Sequence, residues 1–145
     1  MSYANPADLE LRLGPVFRDL YFDAFAADVP DYTVPQADLD AAAGEIDGMI
    51  GVRFAVPVKA EASAKLLCSW NVTLAEELAW ARSGKSETPQ NVQNRVKQVR
   101  TLLEKVCTGE MHLPGAEQSG SVGGGSVVCV SGNSPVFGRD NMKGY

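Results

Sequence analysis

The residue types able to do chemistry are few in this chain, and none stands beside a partner. His112, the single histidine, sits in GEMHLPG with no serine, cysteine or carboxylate motif next to it, so no nucleophile–base pair or proton shuttle is indicated. Cys68, Cys107 and Cys129 are odd in number and far apart. Without a CxxC or a Cys/His cluster they define neither a zinc site nor a disulfide frame, and they read as reduced, mostly buried thiols. Glu45 and Asp47 are conceivable as an acid–base or metal pair, but a spacing of two points them to different sides of a helix. GSVGGGS has the glycines of a phosphate loop without its Lys-Ser/Thr pair, and it joins no strand to a helix. The expectation is a protein that is no enzyme and takes no cofactor and no metal.

Binding chemistry is concentrated at the C-terminus. Ser126 to Tyr145 reads SVVCVSGNSPVFGRDNMKGY. Its apolar residues Val127, Val128, Val130, Val136, Phe137, Met142 and Tyr145 exceed what so short a stretch can bury by itself, so they need a surface elsewhere. Arg139, Asp140 and Lys143 are interleaved with them, giving anchors plus charges that set register. These ten residues are the expected partner-binding set. SVVCVS reads as a short β element and Gly132-Asn133-Ser134-Pro135 as a turn. The chain then divides into a helical body, 1–113, a Gly-rich linker, 114–125, and a docking arm, 126–145.

The body must position that arm. With 145 residues and 45% hydrophobic content, there is enough chain for one core and not for two. A net charge of −5 disfavours non-specific clamping of a polyanion. No apolar run approaches a membrane span and the start lacks a leader pattern, so a soluble, cytoplasmically made protein is expected. Asn5-Pro6 with Asp8 starts a short helix that stops at Gly14-Pro15. Val16 to Tyr32 is dense in aromatic residues; a short helix and a structured loop are both open there, with the rings packed on the body or exposed as a subunit contact.

Thr33 and Gln36 have capping-box spacing for a helix over about 36–53, with Leu39, Ala42 or Ala43, Ile46, Met49 or Ile50, and Arg53 on one face and Asp38, Asp40, Glu45 and Asp47 on a wet acidic side. Gly44 and Gly48 in it permit close approach of another helix. GVRFAVPVKAE turns the chain into a second long helix over about 61–83, with Leu67, Trp70, Leu74, Leu78 and Ala81 on one stripe. A third starts at Thr88-Pro89 and carries Val92, Val96, Val99, Leu103 and Val106 inward to Gly109. Its basic side chains, Arg95, Lys97, Arg100 and Lys105, read as solvated, because Gln93, Asn94, Gln98 and Glu104 dilute them. The predicted class is mainly α, with three main helices, a short N-terminal one and a short β element in the arm.

Two blocks in this order resemble one family, the head-to-tail connector proteins of Mu-like phages and prophages. They are EIDGMIGVRFAVPV, Glu45 to Val58, and the closing PVFGRDNMKGY; PADLELRLG near the N-terminus is similar to the family's opening. The chain departs from the family's pattern in the aromatic insertion Val16 to Asp31, in Leu13 where an aromatic is usual, and in Gly138 where a small hydroxyl is commoner. The resemblance implies a structural virion protein at the capsid–tail vertex. Its partners would be other copies of itself in a ring, twelve-fold by family analogy, the portal protein, and a tail-side connector or terminator. DNA would pass through the lumen without specific binding, and no membrane would be involved. The first block, with Ile46, Asp47, Gly48, Arg53 and Phe54, is the expected oligomer interface. The alternatives are a tail-side completion protein, for which a β-rich body is expected, and a small DNA-binding regulator, which needs a basic recognition helix.

Overall fold

Asn5 opens the first helix, α1 (Pro6–Leu13). Its side-chain oxygen accepts from the Asp8 N–H at 3.0 Å, and the Asp8 carboxylate accepts from the Asn5 N–H at 2.9 Å, so two otherwise orphaned donors are met reciprocally. Gly14, at φ 59°, ends it in a conformation that side-chain-bearing residues avoid. In the computed structural model, which describes residues 2–85 and 87–119, the aromatic segment is both of the forms left open. It makes a short helix, α2 (Val16–Leu20), and then a 3-10 turn, Phe22–Phe25. Phe17 and Tyr21 are buried with ring centroids 5.0 Å apart, and Phe25 meets Phe17 edge-on at 5.9 Å. Phe22 points away and is 74% exposed.

The three long helices are α3 (Thr33–Ile50), α4 (Glu61–Arg82) and α5 (Gln90–Thr108). The start of α3 falls three residues before the capping-box expectation. The Asp31 carboxylate takes the Thr33 N–H at 2.9 Å and its hydroxyl, which leaves Pro35 in the first turn, where a missing N–H costs nothing. The helix also ends before Arg53, because the N–H groups of Arg53 and Phe54 both turn back to the Ile50 carbonyl at 3.0 and 2.9 Å. At the end of α5, Gly109 adopts φ 92° and donates to the carbonyls of Lys105 and Val106, closing the helix as glycine does.

The chain makes four antiparallel passes between two poles, the first of them shared by α1 and α2. Side-chain bonds fix the directions. Tyr3 reaches Val58 and Asp47 at one pole, and Asp38 near the start of α3 meets Arg82 at the end of α4 at the other. The core between the passes holds Leu9, Phe17, Leu39, Ile46, Ile50, Leu67, Leu74, Val96, Leu103 and Val106, all fully buried. The architecture is mainly α, in the helix order read from the sequence, while the arm's expected β element lies outside the described residues.

Several side chains fall differently from their pattern. On α4 the buried stripe uses Val72, Ala75 and Ala79; Leu78 is half-buried and Ala81 exposed. Cys68 and Cys107 are half-buried free thiols rather than mostly buried ones, and Cys129 lies outside the described residues. A Cβ added at Gly44 or Gly48 would meet nothing within 4 Å. These glycines therefore mediate no close packing among the described residues; Ala42 and Ala43 are the small residues buried there. Asp38, expected on the wet side, is buried at 2% exposure. It lies four and eight residues before Ala42 and Ile46, on their own face, and its charge is met by Arg82 and by the Tyr21 hydroxyl at 2.7 Å.

Candidate functional site: the root of the C-terminal arm

The block Glu45 to Val58 closes α3 and turns toward α4, and the last described stretch of chain, residues 113–119, is fastened to it. The Ala55 N–H donates to the Glu117 carbonyl at 2.8 Å and the Ser119 N–H to the Arg53 carbonyl at 2.7 Å, making an antiparallel bridge of Phe54 with Gln118. Phe54 is 1% exposed beneath this bridge, with the exposed His112 ring set edge-on to it at 6.1 Å. Leu113 is buried beside it, and the fully buried Ser63 donates its hydroxyl to the Pro114 carbonyl at 2.7 Å. Residues 114–119, expected as the start of a free linker, are thus part of the body. Backbone pairing holds them because the Arg53 carbonyl and the Ala55 N–H face outward at the end of α3 and need partners.

Arg53 and Tyr3 complete the root. The half-buried Arg53 guanidinium lies over Gly109 and donates to the Val106 carbonyl at 3.5 Å. A cation there meets the negative end of α5, and a Cβ at residue 109 would collide with it. The Tyr3 hydroxyl donates to the Asp47 carboxylate and accepts the Val58 N–H at 3.0 Å. Burial, with the Asp47 bond second, pushes the Tyr3 pKa well above the usual phenol range. Asn71, fully buried, orients its amide toward the Leu39 carbonyl at 2.9 Å and the backbone N–H groups of Tyr3 and Ala4 at 2.8 and 3.2 Å, which ties the N-terminus to α3 and α4.

The expected interface set is therefore brought together but serves unequal roles. Ile46 and Phe54 are sealed inside their own chain, because their side chains fill the core where α3 ends. As placed, neither presents a surface to another copy. Asp47 and Arg53 are half-buried with the partners just given, and Gly48 alone is openly exposed, one turn from Gly44. The ten arm residues, Val127, Val128, Val130, Val136, Phe137, Arg139, Asp140, Met142, Lys143 and Tyr145, lie outside the described residues.

Two of the four basic side chains of α5 are likewise engaged, while Lys97 and Lys105 are exposed. Arg100 bridges Glu45 on α3 and Glu77 on α4, each at 2.8 Å; the Glu45 bond, foremost, holds its guanidinium still more firmly protonated. Arg95 meets the buried Glu76 at 2.8 Å. Burial raises the Glu76 pKa, opposed by Arg95 and Arg12. Sequence reasoning read these acids and bases as solvated because charge alone does not show which helix will face them. Asp38 did carry a legible signal in its spacing from Ala42 and Ile46. Among the described residues, no group of three or more His, Cys, Asp or Glu is placed to hold a metal ion, and no helix is long and apolar enough to cross a membrane.

Four helical passes with a strand-like tie at the last described residues, and ion pairs that hold the helices together, define a helical scaffold. The comparison with known families agrees with the resemblance seen in the sequence as far as a Mu-like phage protein. Residues 3–129 match the family described as Bacteriophage Mu, Gp36. The chain belongs to that family and is a Mu-like phage protein. No curated protein matches it.

Proposed function

We propose that this chain is a structural component of the virion that connects head to tail: a non-catalytic adaptor whose copies form a ring beneath the portal. The ring would extend the DNA channel and offer the tail its docking site at the capsid–tail vertex. The observation that carries the reading is the fastening of residues 113–119 to Arg53–Ala55. It gives the C-terminal arm a defined point of departure, as an anchor that must find a partner at a set distance requires. Membership in the phage family supplies the setting.

The rival readings meet specific obstacles. A β-rich tail terminator is not what the helical body offers. A DNA-binding regulator needs a cluster of free cations on a recognition helix, whereas Arg95 and Arg100 are engaged by Glu76, Glu45 and Glu77, leaving Lys97 and Lys105 as the exposed cations of α5. Lateral contact between copies falls on the outer face of α3, where Ala41, Gly44 and Gly48 are exposed and allow another backbone near.

The test is truncation after Gly125. The shortened chain is expected to keep its helical far-ultraviolet signal and to lose the ability to complete portal-bearing capsids in an assembly extract. Normal completion by the truncated chain sinks the proposal.

A further inference from the structure

The pole opposite the arm root carries a groove of about 460 Å³ between the 3-10 turn and the start of α3. Leu20, Val34 and Ala37 line it, and Phe22 forms a rim that no other described residue covers. Asp19 and Asp23 stand in the same lining, together with Arg82, whose charge is met by Asp38. Both Asp19 and Asp23 are exposed, and neither makes an ion pair or side-chain hydrogen bond among the described residues. An apolar groove flanked by unpaired carboxylates fits an apolar segment carrying cations.

Such a segment exists in the chain itself. Residues 135–145, PVFGRDNMKGY, combine Val136 and Phe137 with Arg139 and Lys143 against a single acid, Asp140. The chain leaves the described body at Ser119, fastened beside Arg53 at the end of α3, whereas the groove lies at the start of α3. That helix has 18 residues, so exit and groove are separated by roughly 27 Å. The 17 residues from Ser119 to Val136 span at most about 60 Å when extended, enough to leave one body and enter the next.

We infer that the groove beside Phe22 receives residues 135–145 of a neighbouring copy, so that the arm of each subunit is bound at the far pole of the next. Exit and receptor at opposite poles make the contact head-to-tail, the arrangement that generates rings when the rotation closes. Phe137 enters the apolar lining, and Arg139 and Lys143 face Asp19 and Asp23. The inference rests on the ring reading above and names the ring's own subunit as the arm's partner.

The test places a photo-reactive benzoylphenylalanine at position 137 of the full chain, mixes light and heavy isotope-labelled copies, and assembles them on portal-bearing heads. Cross-links from 137 to residues 19–37 that pair light with heavy peptides are the expected result. Cross-links within one label only mean that the arm folds back on its own body. Cross-links to portal alone give the arm another partner. Either result overturns the inference while leaving the connector function standing, whereas absence of the chain from the vertex overturns the connector reading and this one with it.

A second measurement uses Phe22→Ala and Asp19→Lys/Asp23→Lys in the full chain. Each is expected to lower occupancy of the vertex about tenfold with an unchanged helical signal, since all three side chains are exposed. Arg139→Glu/Lys143→Glu should restore binding to the lysine variant. Unchanged occupancy in both variants overturns the inference.

Discussion

The two poles of the molecule are built by opposite rules. At the root, Phe54 and Leu113 are buried, Arg53 caps the end of α5, and the backbone of 53–55 is paired with 117–119. At the aromatic pole the interior is equally firm, with Phe17, Tyr21 and Asp38 buried, yet Phe22 and Val29 stand 74% and 76% exposed. A chain able to bury Phe54 fully has no general difficulty in covering rings. Both poles use the same physics of burial. They differ in whether the described residues supply the covering surface.

That contrast is most severely tested by Phe54→Ala. Removing a fully buried ring at the root is expected to cost about 3–5 kcal/mol in urea unfolding, whereas the same truncation at exposed Phe22 should stay within about 0.5 kcal/mol. Comparable losses at the two positions would erase the distinction between the poles. A smaller effect is expected below the groove. Arg82→Ala strips the buried Asp38 carboxylate of its cation while leaving the Tyr21 hydroxyl on it; because Arg82 is itself 46% exposed, about 2 kcal/mol is expected. No measurable loss would mean that the floor of the aromatic pole is as wet as its rim.

The smallest effect is a slope against pH. Burial, with the Asp38 bond second, raises the Tyr21 pKa above the ordinary phenol value of 10.0. Between that value and the folded one the native state keeps a proton that the unfolded chain releases. This contribution to stability is therefore complete below pH 10 and is lost as the pH rises beyond it. Tyr21→Phe should flatten the alkaline fall in the unfolding midpoint while costing about 1 kcal/mol at neutral pH. An unchanged slope would place the coupling elsewhere, with Tyr3 at the root as the other raised phenol. Tyr21 and Arg82 share Asp38, so their effects should not add.

The helical class, the order of the long helices and most of α5 were legible in the sequence. Val92, Val96, Val99, Leu103 and Val106 repeat at helical spacing, and Asn5-Pro6 and Gly109 carry their stop and start chemistry in their own covalent structure. A Mu-like phage family likewise showed in the block near the N-terminus and in Glu45 to Val58, both within the matched residues 3–129; the closing block lies beyond that match. What stayed hidden was the partner of each polar group. Asp38 looked wet until α4 brought Arg82 over it; Glu45 and Arg100 looked solvated until three helices converged; residues 114–119 looked like linker until Arg53 and Ala55 offered backbone partners. Periodicity and caps are local, set by bonds and sterics within a few residues. Ion pairs, a strand-like tie and an uncovered groove depend on which distant elements meet, and only the tertiary structure decided that.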